Sequence, residues 1–264
     1  MSQIRIAVLA NAGGVGKTTL VSNLAYILSQ QQVSVAAIDL DPQRSLDTFC
    51  GLPEVSPEHS TVGLLSESFS TWNLTQPWEI DNIALCQSHP QLSKTAQEIV
   101  TRKRGEYILA DRLDDYPLPY QVVLFDCPAT FGTLCENAIA AATHLLIPLQ
   151  LEAKAVAGLN DLVEKVIDLS KALKLKPRPP IMGIVPSLYN KDLAIHRQYA
   201  EELPEIAQML GTKAYPTIRL STEFKNACAF GLPLRKYRPG HPANGDFTEL
   251  TQDIIQLVKA SSND

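Results

Sequence analysis

The chain has 264 residues, of which 45% are apolar and 19% charged, with a formal net charge of -5. This is ordinary globular composition, long enough to build a core without covalent staples. It excludes a globally basic nucleic-acid binder but leaves room for a local basic patch. Five scattered cysteines, at positions 50, 86, 127, 135 and 228, form no C-x-x-C pair and have no histidine at metal-binding spacing. They suit reduced thiols in a cytoplasm.

In chain order, short apolar runs at 4–10, 33–40, 82–86, 121–126, 144–150 and 181–186 are predicted strands. Their apolar character is nearly continuous rather than alternating, as in parallel strands covered on both faces. Helical spacing fills the gaps at 18–31 and 155–173, with further helices expected at 195–210 and 247–259. The stretch 51–80 has weak periodicity and is expected to be irregular. Pro-rich pieces at 176–180 and 233–242 read as turns. The pattern predicts an α/β fold, with a mostly parallel twisted sheet and helices on both faces, in one domain spanning 1–264. The first strand begins at Ile4 with no charged leader before it, so a secretory signal is not expected. No apolar run approaches the ~18 residues of a membrane span.

After the first strand comes Asn11-Ala12-Gly13-Gly14-Val15-Gly16-Lys17-Thr18-Thr19, followed by the first helix. Strand, glycine loop, Gly-Lys-Thr and helix form the context of a phosphate-binding P-loop. Glycines let backbone N–H groups point at phosphate oxygens, and the helix N-terminus adds its positive end. Lys17 is expected to reach the β- and γ-phosphates, and the Thr18 hydroxyl to hold Mg²⁺. The usual opening glycine of the motif is replaced by Asn11.

Such a site also needs carboxylates at the C-terminal ends of strands. The second strand ends in Asp39-Leu40-Asp41-Pro42-Gln43 and the fourth in Asp126-Cys127-Pro128. If the second strand runs through both acids, Asp39 and Asp41 point the same way. Asp126 follows an apolar run, as a metal-holding Walker-B aspartate does. One such acid alone is more often a cap or turn residue; three behind a P-loop read as a Mg-nucleotide site.

On these residues the chain resembles the ParA/MinD family of deviant Walker ATPases. The likeness continues through Ile147-Pro148-Leu149-Gln150 with Gly158-Leu159, Gly183-Ile184-Val185 with Tyr189, and Ala227, Gly231 and Pro233. It implies ATP and Mg²⁺ as cofactors and an ATP-dependent sandwich homodimer. It also implies slow hydrolysis, stimulated by an adaptor protein that links the ATPase to cargo. Within that resemblance, Asp41 orients the attacking water, while Asp39 and Asp126 organise Mg²⁺ and the switches. The family's signature lysine, which crosses the dimer to the other subunit's phosphates, is replaced by Ala12. Lys154, just ahead of the helix that leads into Gly158, is the candidate to supply the missing charge. This departure resembles the branch of the family that positions carboxysomes.

The family implies non-specific DNA binding by the ATP dimer and a cytoplasmic, nucleoid-associated location. Arg219, Lys225, Arg235 and Lys236 lie in the segment where relatives carry DNA-contacting cations. The set Lys171, Lys174, Lys176 and Arg178 is an alternative; each cluster alone is more often a solvated face than a DNA site. The C-terminal residues 257–264 carry one lysine and end in Asp264, unlike a basic membrane helix. Other readings stay open: a nucleotide-gated scaffold with little turnover, a plasmid or chromosome partition ATPase, or a small-molecule enzyme on the same fold.

Overall fold

The computed structural model describes residues 3–261. In chain order its elements are β1 (Ile4–Val8), α1 (Lys17–Gln30), β2 (Val35–Asp39), α2 (Ser45–Phe49), α3 (Thr61–Leu65) and β3 (Ile83–Cys86). Then come α4 (Leu92–Ile99), α5 (Ile108–Asp115), β4 (Val122–Asp126), α6 (Thr133–Ala141), β5 (His144–Gln150) and α7 (Ala153–Ala172). The chain closes with β6 (Ile181–Ser187), α8 (Ala194–Met209), α9 (Thr222–Ala229), α10 (Leu234–Tyr237) and α11 (Thr248–Ser261).

The strands form one sheet in the order β3-β2-β4-β1-β5-β6, and every pairing between them is parallel. Alternation along the strands sends side chains to opposite faces. Ile4, Ile6 and Val8 pack with Leu20 and Leu24 of α1 and with Leu250 and Ile254 of α11. Ala7 and Leu9 face the other way, with Leu109 of α5 and Leu134 and Ala138 of α6. A third apolar cluster joins β5 and β6 to α7 and α8. Both faces are therefore covered, which is why the strands read as continuous apolar runs.

The expected irregular stretch 51–80 holds two short 3-10 turns, at Pro57–His59 and Pro77–Glu79, and the helix α3. The short helix α3 is anchored in the interior, with Leu64 and Leu65 buried. Its Thr61 hydroxyl donates to the backbone carbonyls of Asp39 and Gln87, tying the stretch to the ends of β2 and β3.

Among the described residues no helix is long and apolar enough to cross a membrane. Ser262, Asn263 and Asp264, which entered the argument about the C-terminus, lie outside the described residues.

Candidate nucleotide site

Consecutive connections leave the sheet in opposite directions around β1 and β4, and open α/β sheets bind ligands at such a point. The glycine loop sits there. Gly14 and Gly16 have φ of 75° and 89°, left-handed values that L side chains rarely adopt. Gly16 is the N-cap of α1 and offers no side-chain cap, so the first N–H groups of the helix are left for a ligand. Lys17 is 7% exposed, and among the described residues its ammonium forms no ion pair.

Sheet register brings the acids together. Asp39 at the end of β2 pairs directly with Asp126 at the end of β4, so the two carboxylates are neighbours on one face. Both are buried. Their contacts differ. Asp39 accepts backbone N–H bonds from Asp41 at 2.9 Å and from Leu46 at 3.3 Å, one on each oxygen. Neither oxygen of Asp126 is engaged by a donor at hydrogen-bond geometry. Burial pushes the Asp126 carboxyl up to about 7, although the nearby Thr18 hydroxyl and Lys17 ammonium pull it partway back. Asp39 is raised well above the carboxylate range, first by burial and then by the negative charge of Asp126.

The strand does not run on through Asp41. It ends at Asp39, and Asp41 begins a turn. Asp41 is half-buried; its Oδ1 accepts the Gln43 N–H at 3.0 Å, while its own N–H is held by Asp39. The alternation argument for these two acids therefore fails. Asp39 holds the turn that carries Asp41 and the start of α2.

A magnesium nucleotide fits these residues. A buried carboxylate without donors is costly unless a cation joins it. Thr18, Lys17 and the open end of α1 stand beside it. Mg²⁺ is usually held by one or two protein groups plus phosphates rather than by a protein cage, and Thr18 with Asp126 meets that demand.

Two clefts flank the loop. One, of about 550 Å³, opens over Asn11, Ala12 and Gly13 and is walled by the end of β5 and the first turns of α7. Exposed Lys154 lines it, together with Glu152 and Asp161. The Asn11 side-chain amide donates to the Gly158 carbonyl at 3.2 Å, which fixes the loop to α7. The other cleft, of about 430 Å³, lies beside Gly14, Gly16 and Thr19 and is largely apolar, with Leu188, Leu220, Phe224 and Cys228 on its far wall. An apolar slot next to a phosphate loop suits a nucleobase. Sequence reasoning missed this wall, whose residues come from segments far apart in the chain.

The basic segment is placed less simply. Arg219 is bound by the Asp246 carboxylate through Nε at 2.8 Å and a second guanidinium nitrogen at 2.6 Å. Lys236 donates to the Trp78 carbonyl at 3.1 Å. Lys225 is exposed on α9, and Arg235 is half-buried on α10. Glu223, in the same segment, pairs with Arg238 at 3.0 Å.

Comparison with known proteins agrees with this geometry. Residues 3–177 match the family model described as "AAA domain". The chain is 32% identical to the chromosome partitioning protein ParA of Myxococcus xanthus over 200 residues, covering 75% of this chain and 70% of that protein. The structure of apo McdA from Cyanothece is similar at TM-score 0.84 and 24% identity, over 96% of this chain and 100% of that one. The septum site-determining protein MinD of Pyrococcus horikoshii, complexed with Mg-ADP, is similar at TM-score 0.74 and 18% identity, over 97% of each chain. With these two solved structures the shared feature is the fold.

Proposed function

The chain belongs to the ParA/MinD family of ATPases, and from that premise we propose that it is a cargo-positioning ATPase working as an ATP-dependent sandwich dimer. Its nucleotide is Mg-ATP. Lys17 neutralises the β- and γ-phosphates, Thr18 and Asp126 hold the metal, and Asp41 orients the attacking water. Lys154 takes the place of the signature lysine lost at Ala12, serving the other subunit's phosphates across the dimer. A cation at that point has large leverage, because negative charge develops on the transferred phosphoryl group and its bridging oxygen. The observation that carries this reading is the shared cleft, in which Lys154 stands over Asn11, Ala12 and Gly13.

In this reading the ATP dimer binds DNA without sequence preference, placing the protein on the nucleoid in the cytoplasm. Lys225 and Arg235 are the DNA cations of first choice, with Lys236 beside them. An adaptor stimulates hydrolysis, releases the dimer and links it to cargo. The cargo proposed is the carboxysome, on the strength of Ala12 and the likeness to McdA.

Ala12 also supports a second reading, a nucleotide-gated scaffold with little turnover. Light scattering with Mg-ATP, on the native chain and on Lys154→Ala, tests the first. Dimerisation of the native chain and its loss in the variant are expected. Equal dimerisation of both proteins removes Lys154 from the role. Adaptor-stimulated phosphate release from the native chain removes the scaffold reading.

A further inference from the structure

One buried acid beside the nucleotide site takes no direct part in it. Asp47, the third residue of α2, is 1% exposed. Its Oδ2 accepts the Arg44 Nε at 3.3 Å. Among the described residues Arg44 is the one cation at ion-pair distance from it. The Ser88 N–H and the Gln87 side chain are close enough to favour the charged form of Asp47, but its Oδ1 makes no hydrogen bond of good geometry. Arg44 also reaches Glu54 at 3.0 Å. Glu54 is largely exposed, so that contact adds little.

Arg44 closes the turn that carries Asp41. Its N–H donates to the Asp41 carbonyl at 3.0 Å, and its own carbonyl accepts the Thr48 N–H at 3.2 Å. It is the N-cap of α2, with φ of 57° and ψ of 33°. That left-handed conformation is costly for a residue with a side chain and free for glycine. A residue such as arginine stays there when its surroundings fix it. Here its side chain is turned inward onto a buried acid. α2 is a firm base for that contact, since Leu46 is buried and the Asp47 carbonyl accepts the Leu52 N–H at 3.0 Å. From the other side, the Asp39 carboxylate holds the N–H groups of Asp41 and Leu46. The turn is thus gripped twice. Pulling Arg44 away leaves a buried charge uncompensated, which makes it a clamp rather than a cation free to swing toward a phosphate.

We propose that Arg44, anchored by Asp47, is a positioning residue for Asp41: it fixes the turn 41–44 so that the Asp41 carboxylate is held for the attacking water. The role of Asp41 rests on the ATPase reading above, whereas the clamp on the turn does not. Displacing a reacting group by about 1 Å costs on the order of 10²-fold in rate. Lys17 and Thr18, which hold the nucleotide, lie outside the turn. The pair therefore acts on kcat and leaves KM for ATP nearly unchanged.

Phosphate release from Mg-ATP by the full-length chain tests this. Arg44→Gly is the first variant, because glycine keeps the left-handed turn and removes only the clamp. Its kcat is expected to fall about tenfold or more, with KM within about threefold of the parent. Arg44→Lys, which keeps a cation for Asp47, should be faster than Arg44→Gly. Asp47→Asn should lower kcat in the same way, and the double variant Arg44→Gly/Asp47→Asn should be no slower than the slower single, since the two side chains act as one unit. Parent-like kcat in Arg44→Gly overturns the proposal. So does a loss confined to KM, a lysine variant no faster than the glycine one, or losses that multiply in the double variant. A parent chain that releases no phosphate sinks the ATPase reading instead, and amide hydrogen exchange in the nucleotide-free protein then decides. Exchange at Asp41, Gln43 and Leu46 should speed up about tenfold in Arg44→Gly while β4 keeps its protection. Equal protection of the turn in both proteins overturns the clamp.

Discussion

Two regions border the glycine loop, and they treat charge in opposite ways. At the ends of β2 and β4 the acids are buried side by side, and neither oxygen of Asp126 makes a hydrogen bond of good geometry, although the Thr18 hydroxyl is close enough to lower its pKa. In the segment 219–238 the charges are more open, yet Arg219 is held by Asp246, Arg238 by Glu223 and Lys236 by the Trp78 carbonyl. A buried carboxylate short of donors is a cost that a proton or a bound cation removes. An exposed, partnered arginine costs little and has little left to offer a phosphate. Unmet polar demand, rather than the mere presence of charge, marks where a ligand belongs.

The comparison breaks most visibly at Asp126. With its folded-state carboxyl raised to about 7 from the ordinary 3.8, the ligand-free protein favours the protonated form below pH 7. The stability this group contributes is full below pH 3.8 and is lost as pH rises through 7. The difference is ~4 kcal/mol at most, at 1.36 kcal/mol per pKa unit. Asp126→Asn should flatten that slope, raising the apo melting temperature at pH 8 while abolishing the extra stabilisation by Mg-ATP. Melting curves between pH 5 and 8, with and without Mg-ATP, check both effects. An Asn variant less stable than the parent at pH 8 would mean that the carboxylate is satisfied in the apo fold.

The two regions also differ in how far the sequence announces them. Six apolar runs and the motif at 11–19 locate the sheet and loop, because parallel strands covered on both faces need unbroken apolar sequence and a P-loop needs its glycines. The acids were readable because they end strands. The direct pairing of Asp39 with Asp126 was not, since register depends on which strands become neighbours. Helices α4, α5 and α6 are only eight or nine residues long, so each offers little more than two turns of pattern to be named by. The wall formed by Leu188, Leu220 and Phe224 has no local signature, because it assembles only when β6 and α9 pack together. The partner of Arg219 lies 27 residues away, beyond the reach of a charge-pattern reading.

The regions meet where α2 packs against α9. Gly51, after α2, and Gly231, after α9, pack backbone to backbone: a Cβ built on Gly231 comes 2.7 Å from the Gly51 Cα, and Gly231 has φ of 65°. The Gly231 carbonyl also accepts the Trp78 indole N–H at 2.7 Å. Gly231→Ala should therefore cost ~1–3 kcal/mol through overpacking and strain. Gly240→Ala, where nothing lies within 4 Å of the added carbon, should stay within ~0.5 kcal/mol of the parent. Urea unfolding of the two variants measures the difference. Equal stabilities would show that the α2 and α9 ends can separate freely, making the two regions independent.

The smallest expected effect bears on the basic side, and it presupposes the DNA-binding reading. A lysine on a phosphate contributes about one unit to the slope of log affinity against log salt, because it releases one counterion. Lys225 has no acidic partner at ion-pair distance among the described residues, so Lys225→Ala should lower that slope by about one. Arg219 starts from a doubly hydrogen-bonded pair with Asp246. To reach a phosphate it must leave that carboxylate, and the exchange releases little net counterion. Arg219→Ala should change the slope by less than half as much, whereas Asp246→Asn, which frees the guanidinium, should raise ATP-dependent DNA affinity. Titrations of labelled duplex at several salt concentrations measure all three. If Arg219→Ala flattens the slope as much as Lys225→Ala does, the pair with Asp246 opens on DNA, and being partnered in the free protein does not disqualify a cation from the interface.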